Sequence, residues 1–289
     1  MLRNLAFALA LTTALSGCAG NPFDGMAWPR AEDGVEGKPE SAKVAALLRV
    51  ADATALAGDY GSALSMYRRA LEADPQNADV LLRLGDILLR VGENTEAADV
   101  FRKAISFRRS AEPFEGLAKA LIALDQPEAA VSHLNAALEI DERASTYNVI
   151  GVAKDLLGDH GAAQAYYRTG LDLAPSDMSL RNNLGLSLAV SGRHGEAMKI
   201  LRDAAASAGA TARNRLNLAL AYGLAGETGA AAETARLDLD EASVQQNLSF
   251  YETLRALDDS RLTIRAIGAH NAALGKRLGP SADRQTSHR

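Results

Sequence analysis

The sequence predicts an all-α solenoid built from consecutive helical hairpins. The unit is clearest at 144–177, where two amphipathic segments flank a turn at Gly158 and Pro175 ends the second segment. Small residues recur in two series. The first series is Ala51, Gly85, Ala118, Gly151, Gly185 and Ala219, and the second is Ala63, Ala97, Ala130, Ala163, Ala197 and Ala231. Both series advance by 34, 33, 33, 34 and 34 residues, which predicts stacked hairpins that approach closely at these positions.

Composition agrees with a folded chain and excludes one class of partner. The 289 residues are 47% hydrophobic and 23% charged, as in ordinary globular proteins, and the length suits one or two domains. The repeats favour a single solenoid. The formal net charge is -5 and the basic residues are scattered, so no basic stripe points to nucleic acid.

The period and the small-residue pattern resemble the tetratricopeptide repeat (TPR). Six repeats are predicted, at 44–77, 78–110, 111–143, 144–177, 178–211 and 212–238. Glycines stand at the turns inside five of them, where a helix end often needs positive φ: Gly58, Gly92, Gly158, Gly192 and Gly226. The third repeat has Asp125 at this place and is the least regular.

The N-terminus resembles a bacterial lipoprotein signal. Arg3 precedes an apolar run too short to span a bilayer, and Leu15-Ser16-Gly17-Cys18 resembles the lipobox. Residues 1–17 are then a signal peptide, and Cys18, the chain's single cysteine, becomes an acylated N-terminus. The alternative is a periplasmic protein without an anchor and with a stray cysteine. Ala19, in place of Asp, favours the outer membrane under the enteric sorting rule.

Residues 18–43 are predicted to be a flexible linker because glycine and proline interrupt every helical period. Phe23 and Trp28 in this linker either touch the membrane surface or a partner, or have no specific role. At the other end, 239–257 is predicted to be a capping helix, with Asp240 as N-cap and an apolar stripe of Val244, Leu248, Tyr251 and Leu254.

The tail, 258–289, carries six basic and three acidic residues. A weaker stripe of Ile264, Ile267, Leu274 and Leu278 indicates a further helix. This helix either docks on the solenoid or forms a basic surface for a partner or a membrane. The final ten residues are expected to be disordered.

Motifs for catalysis or cofactor binding are not found. The sequence has no phosphate-binding loop, no metal-spaced His or Cys pair and no nucleophile elbow. His133, His160 and His194 lie in or beside second helices, where exposure to solvent is expected. We therefore expect a protein that is not an enzyme and that uses no cofactor and no metal.

The predicted function is recognition by the concave surface. The TPR resemblance implies that positions 2, 5, 6 and 9 of each repeat face this groove. They place four asparagines, expected to face solvent in the free protein, and one arginine there: Asn148, Asn182, Asn183, Asn217 and Arg213. Amide side chains can pair with the backbone of an extended peptide, although asparagine at position 6 is also common in the repeat itself. The N-terminal half instead carries a mixed-charge wall that is either functional or merely solvated: Arg49, Asp52, Arg83, Asp86 and Arg90.

A narrower resemblance joins these features. The lipobox, six repeats, the run 217–226 (NLALAYGLAG) and a cap with Asn247-Leu248 and Tyr251 resemble TadD, the TPR lipoprotein family of Tad (Flp) pilus assembly. The resemblance covers about 1–257, and the basic tail departs from it. It implies a pilotin-like role in which the anchored solenoid binds a secretin in the periplasm. The alternative is an adaptor for cell-wall enzymes, as in other TPR lipoproteins.

Overall fold

The computed structural model describes residues 39–278, with side chains for 42–273. This part of the chain is entirely helical, with fourteen helices and no strand. The signal peptide, Cys18, Phe23, Trp28 and the disordered terminus predicted from the sequence lie outside it, as do the side chains of Leu274 and Leu278. Within 39–278, none of the helices has the length and apolar character required for a membrane span.

The helices alternate between a first (A) and a second (B) helix in each repeat. The A helices are α1 (Pro39–Leu56), α3 (Ala78–Val91), α5 (Ala111–Ala123), α7 (Ala144–Leu156), α9 (Met178–Val190) and α11 (Ala212–Ala225). The B helices are α2 (Tyr60–Ala73), α4 (Asn94–Phe107), α6 (Pro127–Ile140), α8 (His160–Leu173), α10 (His194–Ala205) and α12 (Thr228–Ala235). Two helices follow, α13 (Glu241–Arg255) and α14 (Ser260–Leu278). The all-α solenoid predicted from the sequence is confirmed.

The first helix begins earlier than the predicted repeat boundary. The sequence places a linker at 18–43, whereas α1 starts at Pro39. Proline breaks a helix in its interior, but it is well tolerated in the first turn, where its missing N–H has no partner to lose. Residues 39–43 therefore belong to α1 and not to the linker.

In repeats two, four and five, the glycine of the first small-residue series receives a large side chain from the B helix sixteen residues later. A Cβ on Gly151 would lie 2.3 Å from Tyr167 Cε1, and a Cβ on Gly85 would lie 2.5 Å from Phe101 Cζ. Both aromatic rings are buried. In repeat six the B helix has only eight residues, and a ring from α13 packs on Gly223, one turn after the series residue Ala219: a Cβ on Gly223 would lie 2.3 Å from Tyr251 Cδ2. Close approach thus explains the small-residue series.

Turns inside the repeats share one backbone conformation. The five predicted glycines have φ between 80° and 89°, and Asp125 has φ 61°. Asp is among the few non-glycine residues that adopt this left-handed conformation readily. The third repeat therefore makes the same kind of turn as its neighbours, despite its different residue.

The A helices form the inner row of the solenoid. Consecutive A helices, from α3 to α11, pack against one another, and the B helices do so less closely, so the stack curves with the A row inside. Helix α13 packs on α11 and α12 and closes the core, with the Asp240 side chain accepting a hydrogen bond from Ser243 N. Helix α14 does not extend the stack, since it packs against α7 and α9.

Candidate protein-binding groove

The concave face of α1 and α3, hereafter the charged half, carries the mixed-charge wall predicted from the sequence. Arg83 Nη1 donates to Asp52 Oδ2 over 3.0 Å, and Tyr67 Oη donates to Asp52 Oδ1 over 2.6 Å. Arg90 lies over the Tyr60 ring, with Cζ 5.6 Å from the ring centroid. These contacts join neighbouring helices, so the wall is an ordered network.

Several charged side chains of the charged half are exposed or partly exposed, so a partner could contact them. The Arg83 and Asp52 side chains are 14% and 19% exposed, and Arg49 is exposed. Burial raises the pKa of Asp86 to about 6, although Lys119, Arg90 and Arg83 oppose the rise and the side chain is only partly covered. Asp86 is therefore a carboxylate whose charge changes within a mildly acidic range.

The asparagines predicted to face solvent mostly bond to each other. Asn183 Nδ2 donates to Asn148 Oδ1 over 2.8 Å, and Asn217 Nδ2 donates to Asn182 Oδ1 over 3.4 Å. Exposure is 4% at Asn182 and 3% at both Asn183 and Asn217. The expectation of solvent-facing amides is wrong for these three residues, because each lies between successive A helices, where a buried amide needs a partner. Their contact with a peptide stays a prediction.

The other two predicted groove residues lie nearer the surface. Asn148 on α7 is partly exposed and gives its carbonyl oxygen to Asn183. Arg213, in the first turn of α11, is also partly exposed. The structure thus brings the four asparagines into two pairs along α7, α9 and α11.

Helix α14 lies on the concave face of α7 and α9, hereafter the covered half. Ile264 and Ile267 are 4% and 0% exposed. Of the two interpretations left open for the tail, docking on the solenoid is the one the structure shows. Groove positions beneath it are apolar and buried: Val149, Val152 and Leu186.

Polar contacts fix α14 at its two sides. Arg265 Nη1 donates to Asp125 Oδ1 in the turn of the third repeat. The Arg261 stem lies on the next turn, where a Cβ on Gly158 would be 2.9 Å from Arg261 Cγ. On the opposite side the His270 ring stacks on Phe250 of α13, with centroids 4.1 Å apart.

Comparisons with known proteins agree with this architecture. Three tetratricopeptide-repeat family models match residues 55–113, 111–143 and 156–213. The chain is a TPR protein. No curated protein matches it in sequence.

Solved TPR structures resemble the chain over most of its helical part. A thermophilic TPR protein from Thermus thermophilus is 25% identical, with TM-score 0.57, and the match covers 62% of this chain and 98% of that one. PilW, a type IV pilus biogenesis factor, is 22% identical with TM-score 0.61, covering 73% and 97%. The pilF protein of Pseudomonas aeruginosa is 20% identical with TM-score 0.58, covering 74% and 100%. At identities of 22% and 20%, the likeness of this chain to the two pilus proteins shows a shared fold alone.

One buried polar cluster of this TPR protein was missed in the sequence. Asp155 Oδ1 accepts from Ser187 Oγ and pairs with His160 Nδ1, both at 2.7 Å, and Asp155 Oδ2 accepts from Tyr167 Oη at 2.9 Å. Burial raises the pKa of Asp155. The expected exposure of His160 is therefore wrong, because its ring turns into the core towards this carboxylate.

The order of this cluster does not suit nucleophilic catalysis. The carboxylate stands between Ser187 and His160, so the hydroxyl donates to Asp155 and not to the imidazole that would have to act as its base. In residues 39–278 no group of three or more His, Cys, Asp or Glu is arranged to hold a metal ion. The cluster joins α7, α8 and α9 and acts as a polar core.

Proposed function

We propose that this protein is a lipid-anchored TPR scaffold that binds the secretin of a Tad (Flp) pilus and assists its assembly, in the manner of a pilotin. It would be attached through Cys18 to the outer membrane and face the periplasm. The observation that carries the binding function is the groove of the TPR solenoid, where charged side chains of α1 and α3 remain accessible. The choice of a pilus secretin rests on the resemblance in sequence.

The residues that carry this resemblance have a structural role. Gly223 receives the Tyr251 ring, and Gly226 forms the left-handed turn that ends α11. Asn247 Oδ1 lies 2.9 Å from His270 Nε2, which ties the cap to α14. The residues of the resemblance thus form the junction between repeat six and the cap. A chain with the same residues there is expected to end its solenoid in the same way. PilW and pilF support the proposal as pilus proteins with this fold.

The charged half is the part of the groove to which we assign the secretin. Helix α14 occupies the covered half. Amide hydrogen bonds there join Asn183 to Asn148 and Asn217 to Asn182 on neighbouring helices. By contrast Arg49 is exposed, and the Arg83 and Asp52 side chains keep part of their surface open to the groove. A secretin segment that binds there would do so through charge, and its association would weaken with added salt.

The experiment is a titration of the acylation-free mature protein with the secretin's periplasmic and terminal segments at low and high salt. Arg49→Glu should weaken binding by about fivefold, since it reverses one accessible charge. Arg69→Glu, which changes an arginine that is also exposed but lies on the B helix α2, is the matched control and should leave binding unchanged. Equal affinity for wild type and Arg49→Glu would move the site elsewhere. Binding to a peptidoglycan hydrolase and not to the secretin would favour the adaptor function.

The anchor is tested separately from the groove. Cys18→Ser should give a folded but unanchored protein, because several acyl chains hold far more strongly than one and the solenoid supplies no membrane span within 39–278. Cell fractionation with labelled palmitate makes the measurement. Equal recovery of wild type and variant in the membrane fraction would contradict lipidation at Cys18.

A further inference from the structure

Helix α14 departs from the path that the other helices follow. After the A-like helix α13, a continued stack would place the next helix in the B row. Instead, α14 turns back and lies on the A row, against α7 and α9. The Asn247–His270 contact joins residues on either side of the connection at 256–259, so α14 folds back towards α13. Helix α14 therefore enters the groove and does not continue the stack.

The groove positions under α14 match an amphipathic helix. Val149, Val152 and Leu186 belong to the same continuous core as Ile267. At the corresponding positions of the charged half stand Asp52, Arg83 and Asp86, and no apolar helix face could bury these without loss of their hydration. The charged half is therefore a solvated surface. The apolar positions of the covered half, Val149, Val152 and Leu186, form a surface that can bind a helix, hereafter the seat.

Charge at the edge of this seat selects a basic helix. Asp125 accepts from Arg265, and it replaces the glycine of the other turns. Its carboxylate lies at the edge of the groove beside α14. The seat therefore favours a helix that has a basic residue at this edge as well as an apolar face.

The fit of α14 in its seat is limited. Its buried side chains within 260–273 include only two large apolar ones, Ile264 and Ile267, beside Thr263 and Ala272, while Leu262 is 53% exposed. A short connection keeps the helix at high local concentration, so modest contacts suffice to hold it. A separate helix with larger side chains at the same spacing could bury more apolar surface in this seat.

We propose that the concave face of α7 and α9 is a receptor for a basic amphipathic helix, that α14 is its resident occupant, and that a helix of the same chemistry on a partner protein takes its place. The proposal concerns the covered half and does not depend on the identity of the secretin or on its contact with the charged half.

The test uses a labelled synthetic peptide of residues 258–278 and the full mature chain. In the double variant Ile264→Ser/Ile267→Ser the resident helix loses its apolar anchors, and the free peptide should bind. Wild-type protein should bind it at least about 100-fold more weakly, because the tethered helix competes at high effective concentration. A peptide with the same two substitutions should lose at least about tenfold in affinity for the double variant. Leu262→Ser in the protein is the matched control and should leave the seat closed.

Two outcomes would overturn the proposal. One is a double variant that melts cooperatively and does not bind the peptide, and the other is equal binding to wild type and double variant. If the double variant does not fold, amide hydrogen exchange on wild type decides. Displacement requires residues 260–272 to exchange through local opening, faster than the amides of α13. Exchange only through global unfolding would make α14 a permanent part of the core and refute its replacement.

Discussion

Repeats one and two present arginine and aspartate to the groove, whereas repeats four and five present valine, leucine and asparagine beneath α14. The two regions share the same hairpin, the same left-handed turn and the same contact of a small A-helix residue with a large B-helix side chain. The side chains at the inner positions differ in kind, charged in one region and apolar or amide in the other. The comparison teaches that the repeat residues fix the fold, and that a few residues on the A helices decide whether the groove is solvated or occupied.

The largest expected effect on stability comes from the contact that both regions share, between an A-helix glycine and a B-helix aromatic ring. Gly151→Leu places side-chain atoms where Tyr167 Cε1 already lies 2.3 Å from an ideal Cβ, and Gly85→Leu does the same against Phe101. Overpacking of this kind destabilises by about 1 to 3 kcal/mol or more. Thermal melting should show similar losses at both sites. Gly161→Leu, on an exposed part of α8 with nothing within 4 Å of its Cβ, is the control. An unchanged melting temperature for Gly151→Leu would refute the register.

A second prediction separates the two regions by their polar contacts. Asn183→Ala removes the donor to Asn148 Oδ1 in a buried setting and should destabilise by about 1 to 3 kcal/mol, independently of salt. Arg83→Ala breaks a partly solvated pair with Asp52 and should lose about 1 kcal/mol or less, with a smaller loss at high salt. Chemical denaturation at two salt concentrations measures both. A salt-dependent loss at Asn183 would contradict the buried amide pair.

The smallest expected effect concerns Asp86 in the charged half. Its folded pKa is about 6 and its unfolded value is 3.8, so between these pH values the folded state binds more protons and stability falls as pH rises. At pH 7 the ionised Asp86 carboxylate therefore destabilises the folded state, whereas the neutral form at low pH does not. Asp86→Asn should stabilise the protein at pH 7, on the order of 1 kcal/mol after allowing for partial exposure, and have no effect near pH 4. Melting curves across pH 4 to 8 test this, and an equal effect at both ends would rule out the raised pKa.

Much of the fold could be predicted because it depends on local spacing. The small-residue series fixed the repeat register, and the glycine series located the turns. Asp125 broke that series in sequence yet has the same conformation, because aspartate tolerates positive φ. The start at Pro39 was missed because proline stops a helix in its interior and is tolerated in its first turn.

The candidate site was harder to predict because its features depend on contacts between repeats. Asn182 and Asn183 read as groove residues, and only the spacing of the A helices shows that they pair with Asn217 and Asn148. His160 reads as exposed until Asp155 and Ser187 are brought beside it from 5 residues before and 27 residues after. Which side of the solenoid α14 covers is likewise decided by non-local packing. A 3.6-residue stripe shows that a helix has an apolar face and does not say which neighbour it meets.

The difference between the charged and covered halves can be measured by thiol accessibility. Cys18 is the chain's single cysteine, so the mature protein with Cys18→Ser is a clean background for one introduced cysteine. Arg49→Cys in the charged half should react with a bulky maleimide at the rate of an exposed thiol. Val152→Cys in the covered half should react at least about tenfold more slowly, because labelling there requires local opening. Equal rates at the two positions, in proteins with normal melting curves, would contradict the division of the groove into an open and an occupied half.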